Sequence, residues 1–326
     1  MIISSTPLRV SFLGGGSDLP AYYRRRGGMV ISTTIDKYVY VTISRKFDDA
    51  VRVSYSRTEE VATAAQVEHP VVRESLGFLG VQGGVEITSI ADIPAKGTGL
   101  GSSSSFTVGL LNAVHAYCGR HVAADQLAEE SCHIEMGRCG EPIGRQDQYA
   151  AAFGGLNCLR FHPDDTVTVQ RFLWKPETFE ALQSMLMMFY TGITRSASAL
   201  LSDQSSSLVA DEAKVAVMDR MVASAESVLE DMRGGRLDSL GEALHEGWEL
   251  KKTLARGITN PAIDQAYAAA RSAGAVGGKI LGAGGGGFLL FVVPPDRRAA
   301  VREALRGLRE MPFRFSRHGS RIIFVH

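Results

Sequence analysis

Much of what would point to a specialised setting is scarce in this sequence. Its 326 residues include four cysteines, and Cys118, Cys132, Cys139 and Cys158 form no C-x-x-C pair, so neither a disulfide framework nor a cysteine zinc site is expected. Lys plus Arg equals Asp plus Glu at 35 each, which leaves no overall field to recruit nucleic acid or an anionic membrane. The longest apolar run, Phe288 to Val293, is far too short to span a bilayer, and the N-terminal MIISSTPLRV has neither the basic flank nor the apolar core of a signal peptide. A cytoplasmic protein is the expectation. Internal repeats and low-complexity tracts are absent. So are the G-x-x-x-x-G-K-[ST] phosphate loop and the dinucleotide fingerprint: Gly277-Gly278-Lys279 is followed by Ile280, and Gly97-x-Gly99-x-Gly101 has the wrong spacing.

Glycine and serine, by contrast, are concentrated. The stretch Pro94 to Asn112, PAKGTGLGSSSSFTVGLLN, sets glycines that can approach a ligand closely ahead of four serines. Phe106, Leu110, Leu111, Val114, Tyr117 and Cys118 then recur at helical spacing, so a glycine-rich loop is expected to open into a buried helix with Ser102 as N-cap. Free N–H groups, the helix dipole and serine hydroxyls converge at such a junction, an arrangement suited to a polyphosphate.

Two more glycine turns follow strands. Ile2 to Phe12 alternates as a strand carrying Arg9 and runs into Gly14-Gly15-Gly16-Ser17-Asp18, while Ala275 to Leu281 and Gly287 to Val293 flank Gly282 to Gly286. Asp125 to Arg138 reads as a helix holding Glu135, and Asp147 opens the helical stretch after Gly144. An aspartate there is also what a first helical turn favours, and Arg9 read alone suits a solvated strand face. Ala210 to Met232 and Leu237 to Ala255 read as long amphipathic helices.

Three segments, Thr6 to Pro20, Pro94 to Ser105 and Lys279 to Val292, resemble in order the three motifs of the GHMP kinases, the superfamily of galactokinase, homoserine kinase, mevalonate kinase and phosphomevalonate kinase. The resemblance implies an α+β, two-domain fold, with residues 1–172 and 173–326 as the domains and the active site in the cleft between them. It also implies an ATP-dependent sugar kinase using Mg²⁺, with a sugar phosphate as the expected acceptor and neither nucleic acid nor membrane as a partner. Lys96, Gly97, Gly99, Gly101, Ser102, Ser103 and Ser104 would hold ATP, and Ser103 and Glu135 the metal, with Ser102 and Ser104 as close neighbours in the serine run. Asp147 would take or orient the proton of the attacking hydroxyl, and Arg9 would stand beside the transferring phosphoryl group. Gly15, Gly16, Ser17, Asp18, Arg195, Gly284 and Gly285 would meet the substrate, and Arg24 to Arg26 are further candidates for a substrate phosphate.

Overall fold

The computed structural model describes residues 1–93 and 97–326. Two sheets organise it. The larger is built on two long antiparallel strands, Ile2–Leu13 and Gly28–Arg45, paired along nearly their whole length. Val85–Ala91 and Leu156–Phe161 pair with opposite halves of the second strand. The sequence suggests two strands, Val30 to Thr34 and Tyr38 to Lys46, where the structure has one. Asp36 and Lys37 lie at a register shift in the pairing with the first strand, so the polar break marks an irregularity and not a turn.

The smaller sheet has the order Arg309–Glu310, Leu186–Tyr190, Phe288–Val292, Gly277–Ile280, every pairing antiparallel. Leu186 to Phe189 and Phe288 to Val292 are buried on both faces, which explains unbroken apolar runs in place of alternation. The last strands return to the larger sheet. Arg321–Val325 pairs with Ile2–Leu13 and Phe315–Ser316 with Gly28–Arg45, so a boundary at 172/173 does not separate the two sheets.

The helix Ser102–Tyr117 packs against both long strands, with Val108, Leu110, Leu111, Ala113 and Val114 fully buried. Its close fit depends on Gly109, whose carbonyl accepts from Ser4 Oγ at 2.7 Å. Cys118, expected on the buried face, is exposed beyond the helix end. The N-cap is Gly101 and not Ser102, because Gly101 takes a left-handed φ of 73° and Ser102 enters the first turn.

The segment read as one helix from Asp125 to Arg138 divides into an α-helix, Ala124–Cys132, and a π-turn, His133–Arg138. The Cys139 N–H reaches back five residues to the Ile134 carbonyl at 2.9 Å. Widened turns of this kind are frequent at functional sites, and this one holds Glu135, which lines a cleft. Elsewhere the helices Glu212–Arg233 and Leu240–Lys252 occupy the segments expected for them, whereas Pro70–Leu79, Pro176–Met185 and Pro261–Ser272 are helices with no sequence-based counterpart. Each of those three begins on proline, a first-turn signal that lies outside hydrophobic periodicity. No helix among the described residues is long and apolar enough to cross a membrane.

Candidate active site

A cleft of about 640 Å³ gathers residues from all three glycine-rich segments. On its floor, Arg9 projects from the first strand and meets Asp147 in the first turn of the helix Gln146–Phe153. The two form a bidentate pair, Nε to Oδ1 at 2.7 Å and Nη2 to Oδ2 at 2.9 Å. The Arg9 side chain is 4% exposed and that of Asp147 24%, so the guanidinium is locked while one edge of the carboxylate faces the cleft. Arg9 also donates from Nη1 to the Gly99 carbonyl at 2.6 Å, and its own N–H donates to Leu100 at 3.0 Å. One arginine thus ties the loop to the aspartate.

The loop residues Gly97, Gly99, Gly101, Ser102, Ser103 and Ser104 all line the cleft. Lys96 lies outside the described residues. Gly99 has φ +76°, and a Cβ there would stand 2.2 Å from the Leu281 carbonyl oxygen; one on Gly282 would stand 2.5 Å from Gly99 Cα. Two glycine loops therefore touch backbone to backbone, which only glycine permits.

Glu135, buried, accepts from Ser103 Oγ at 3.4 Å and from Gln148 Nε2 at 2.6 Å. Burial pushes its carboxyl up to about 7, against hydrogen bonds from Ser104, Gln148 and Thr107, and the Asp147 charge adds to the rise. Both Ser103 and Ser104 thus face this carboxylate. A desolvated carboxylate beside serine hydroxyls, at the mouth of a phosphate-type loop, is a donor set that suits a hard divalent cation.

Asp18 lines the cleft but is largely occupied by its own turn. Oδ1 accepts from the Gly16 N–H at 2.9 Å and from Gln146 Nε2 at 3.0 Å, and Oδ2 accepts from the Gln146 N–H at 3.3 Å. Burial, and after it the Asp147 charge, raises its carboxyl above the usual range. Gly15 and Gly16 also line the cleft. Ser17 does not: its hydroxyl is buried against the Met29 backbone, bonded at 3.0 Å to both N–H and carbonyl.

From the other side come Arg195, Ser198 and Gln204, the last two on the helix Ala197–Ala210, together with Lys251 from the end of Leu240–Lys252. Ser198 Oγ donates to Glu141 across the cleft at 2.7 Å. Arg195 is exposed and makes no hydrogen bond or ion pair with the described residues. Gly284 and Gly285 are not in the lining; they pack on Ile258 and on Gly257 and Arg195, while Gly282 and Ala283 of the same loop face the cleft. Arg24 pairs with Asp165 and Arg25 with Glu212 on the outer surface, and neither they nor Arg26 reach the cleft.

Two lysines were missed by the sequence reading. Lys251 is buried and donates to the Gly282 carbonyl; Lys279 is buried and donates to the Ser11 and Phe12 carbonyls at 3.0 Å each. Burial lowers Lys251 to about 8, with Asp18 opposing and Arg9 assisting the shift. Lys279 is lowered well below the usual range, by burial first and then by the cations Lys251 and Arg9. Lys251, at the end of an amphipathic helix, carries no motif; Lys279 opens the third glycine-rich segment, but its place in a short buried strand does not mark it as a cleft residue.

Comparison with known proteins gives the family. The GHMP kinases N-terminal domain matches residues 60–155 and the GHMP kinases C-terminal domain residues 228–308, together more than half of the chain. D-glycero-alpha-D-manno-heptose 7-phosphate kinase of Campylobacter jejuni is 28% identical over 94% of this chain and 93% of its own. L-fucokinase/L-fucose-1-P guanylyltransferase of Bacteroides fragilis is 26% identical over 79% of this chain and 31% of its own. Among solved structures, a D-glycero-D-manno-heptose 1-phosphate kinase from Bacteroides thetaiotaomicron superposes with TM-score 0.82 at 27% identity over the full length of both chains. The chain belongs to the GHMP kinase family and is an ATP-dependent kinase that acts on a sugar hydroxyl group.

Proposed function

We propose that this kinase transfers the γ-phosphoryl group of ATP to the anomeric hydroxyl of D-glycero-D-manno-heptose 7-phosphate, giving the 1,7-bisphosphate used in making activated heptose. The observation that carries this reading is the pairing of a finished transfer site with a spare cation. The Arg9–Asp147 pair sits at the mouth of the glycine loop, and Arg195, which makes no hydrogen bond or ion pair with the described residues, lies in the same cleft. A similar protein that spans nearly the whole chain bears the name of that heptose phosphate kinase.

Phosphoryl transfer is mostly positioning and charge neutralisation, and the chain's residues divide that work. N–H groups of Gly97 to Ser104 and the start of the following helix hold the phosphates. Ser103, with Ser104 beside it, and Glu135 would hold Mg²⁺, which when bound neutralises charge on the phosphate oxygens. Asp147 accepts or orients the proton of the attacking hydroxyl, and Arg9, fixed by three side-chain hydrogen bonds, presents positive charge to the transferring group without having to reorganise. Arg195 would grip the acceptor's own phosphate, a task its planar fork performs bidentately.

Fucokinase-like proteins among the relatives favour a second reading, a free sugar as acceptor, and the heptose 1-phosphate kinase neighbour raises the regiochemistry. ADP release measured with heptose 7-phosphate, heptose 1-phosphate, unphosphorylated heptose and L-fucose separates them. The proposal expects kcat/KM for the 7-phosphate to exceed that for the free sugar at least about tenfold, the scale of one lost charge-assisted contact. Equal values, or preference for fucose or the 1-phosphate, would overturn it.

A further inference from the structure

The acceptor side of the cleft holds buried polar atoms without partners among the described residues, and they are not scattered. Ser11 Oγ, Gln146 Oε1 and Gln204 Nε2 are all buried, unbonded and on the cleft wall. Gln146 can be oriented from its surroundings. Its Nε2 donates to the Asp18 carboxylate at 3.0 Å, which fixes the amide so that Oε1, an acceptor, is the free end. Ser11 lies two residues along the strand from Arg9 and therefore on the same face as the reacting centre.

Gln204 is the most unusual of the three. It is 2% exposed, projects from the helix Ala197–Ala210 and forms no hydrogen bond with the described residues at either end of its amide. Its approach to the first glycine turn is close: Gly16 has φ +103°, and a Cβ at Gly16 would stand 2.5 Å from Gln204 Nε2. A buried amide normally finds a partner, because leaving one bare is costly. Lys251 stands in a similar condition. Its ammonium has three N–H donors; one is used by the Gly282 carbonyl, Asp18 and Asp147 attract it without a hydrogen bond, and Arg9 repels it.

We propose that Gln204 and Lys251 form the second wall of the acceptor subsite, donating to ring hydroxyls of the sugar that Gln146, Ser11 and Asp18 contact from the first wall, and that Gln204 is thereby a specificity-determining residue. A polyol with adjacent hydroxyls is the ligand class that suits such a set, since each hydroxyl donates once and accepts, and the two walls supply acceptors on one side and donors on the other. A site built to hydrogen-bond a hydroxyl rejects the analogue lacking it, because its own polar atoms are then left bare. The inference rests on the sugar-kinase reading but not on which sugar is preferred.

The test uses the whole enzyme and whichever of heptose 7-phosphate, heptose, D-mannose, D-galactose and L-fucose releases ADP fastest. Gln204→Leu keeps the size of the side chain and removes its polarity; kcat/KM for that sugar should fall roughly 10- to 100-fold while KM for ATP changes less than about twofold. Lys251→Met should act in the same direction, and a circular dichroism melt of each variant separates misfolding from lost contacts. Monodeoxy analogues then read specificity: for at least one of them the roughly tenfold or greater preference of the wild type for the parent sugar should collapse towards unity in Gln204→Leu. An unchanged kcat/KM for the sugar in folded Gln204→Leu, a parallel rise in KM for ATP, or a deoxy preference preserved at every position would overturn the proposal. No phosphorylation of any sugar would remove the function and this subsite together, whereas robust turnover with an indifferent Gln204 would remove only the subsite.

Discussion

The two walls of the cleft are built on opposite principles. On the wall carried by the first strand and the phosphate loop, charged groups are paired: Arg9 with Asp147 and Gly99, Glu135 with Gln148 and Ser103. On the wall carried by the C-terminal helices, Arg195 and Gln204 make no hydrogen bond with the described residues and Lys251 has used one donor. On the proposed function the first wall would do the same chemistry at every turnover, so its geometry is fixed in advance and would cost no reorganisation during reaction. On the same reading the second wall meets the acceptor, with Ser11 Oγ and Gln146 Oε1 opposite, so these polar groups are left for the ligand to complete. Substitutions in the first should therefore disturb both catalysis and folding, and substitutions in the second should disturb acceptor recognition alone.

The largest effect is expected at Asp147. Asp147→Asn removes the proposed proton acceptor and leaves the nearly buried Arg9 without its counter-ion, so kcat should fall by about 10² or more and Tm should drop as well. Arg195→Ala is the contrasting variant. Tm should stay within about a degree of wild type, and only kcat/KM for the phosphorylated sugar should fall, by about tenfold. Steady-state kinetics and thermal melts on the same preparations check both, and equal Tm losses would erase the distinction between the walls.

Loop contact gives the next effect. Gly282→Ala places a methyl 2.5 Å from Gly99 Cα, so the third glycine loop must withdraw from the phosphate loop and KM for ATP should rise several-fold. Titration calorimetry with a non-hydrolysable ATP analogue measures the change. Unaltered affinity would show that the phosphate loop holds its shape without that support.

The smallest effect sharpens the account of the metal site. Ser103→Ala, Ser104→Ala and Glu135→Gln should each raise the Mg²⁺ concentration for half-maximal rate, and the ranking of the two serines tells which hydroxyl coordinates. In Mg²⁺-free buffer Glu135 also predicts a pH dependence of stability. Its folded value of about 7 lies above the ordinary carboxyl value of 4.5, so the folded state binds more protons between those limits. The stability contributed by the protonated form is complete below about 4.5 and is lost as pH rises through 7. Differential scanning calorimetry should show this decline in the wild type, and its loss in Glu135→Gln.

The contrast between the walls also explains what could be read from sequence. The first wall is written in contiguous motifs, because glycines that let backbone approach phosphate must be adjacent to the strand or helix that aims them. Gly97 to Ser104 stand out for that reason, whereas Arg9 and Asp147 stand out only through the family resemblance, since read alone they suit a solvated strand face and a first helical turn. Glu135 was legible as a residue, but the π-turn that aims it was not, since a five-residue hydrogen bond leaves no periodic signature. Gln204 and Lys251 are solitary polar residues in helices, joined only by the fold, and Lys279, at the head of the third glycine-rich segment, is buried in a strand. Ser17, Gly284 and Gly285 show the opposite: they belong to the motifs, yet the chain turns them away from the cleft to shape the loops.

The most direct measurement is of the product itself. Enzyme, MgATP and heptose 7-phosphate should yield ADP and one new phosphorus resonance scalar-coupled to the anomeric proton of the sugar. A new phosphate on any other carbon, or ADP formed with no new sugar phosphate, would contradict the account.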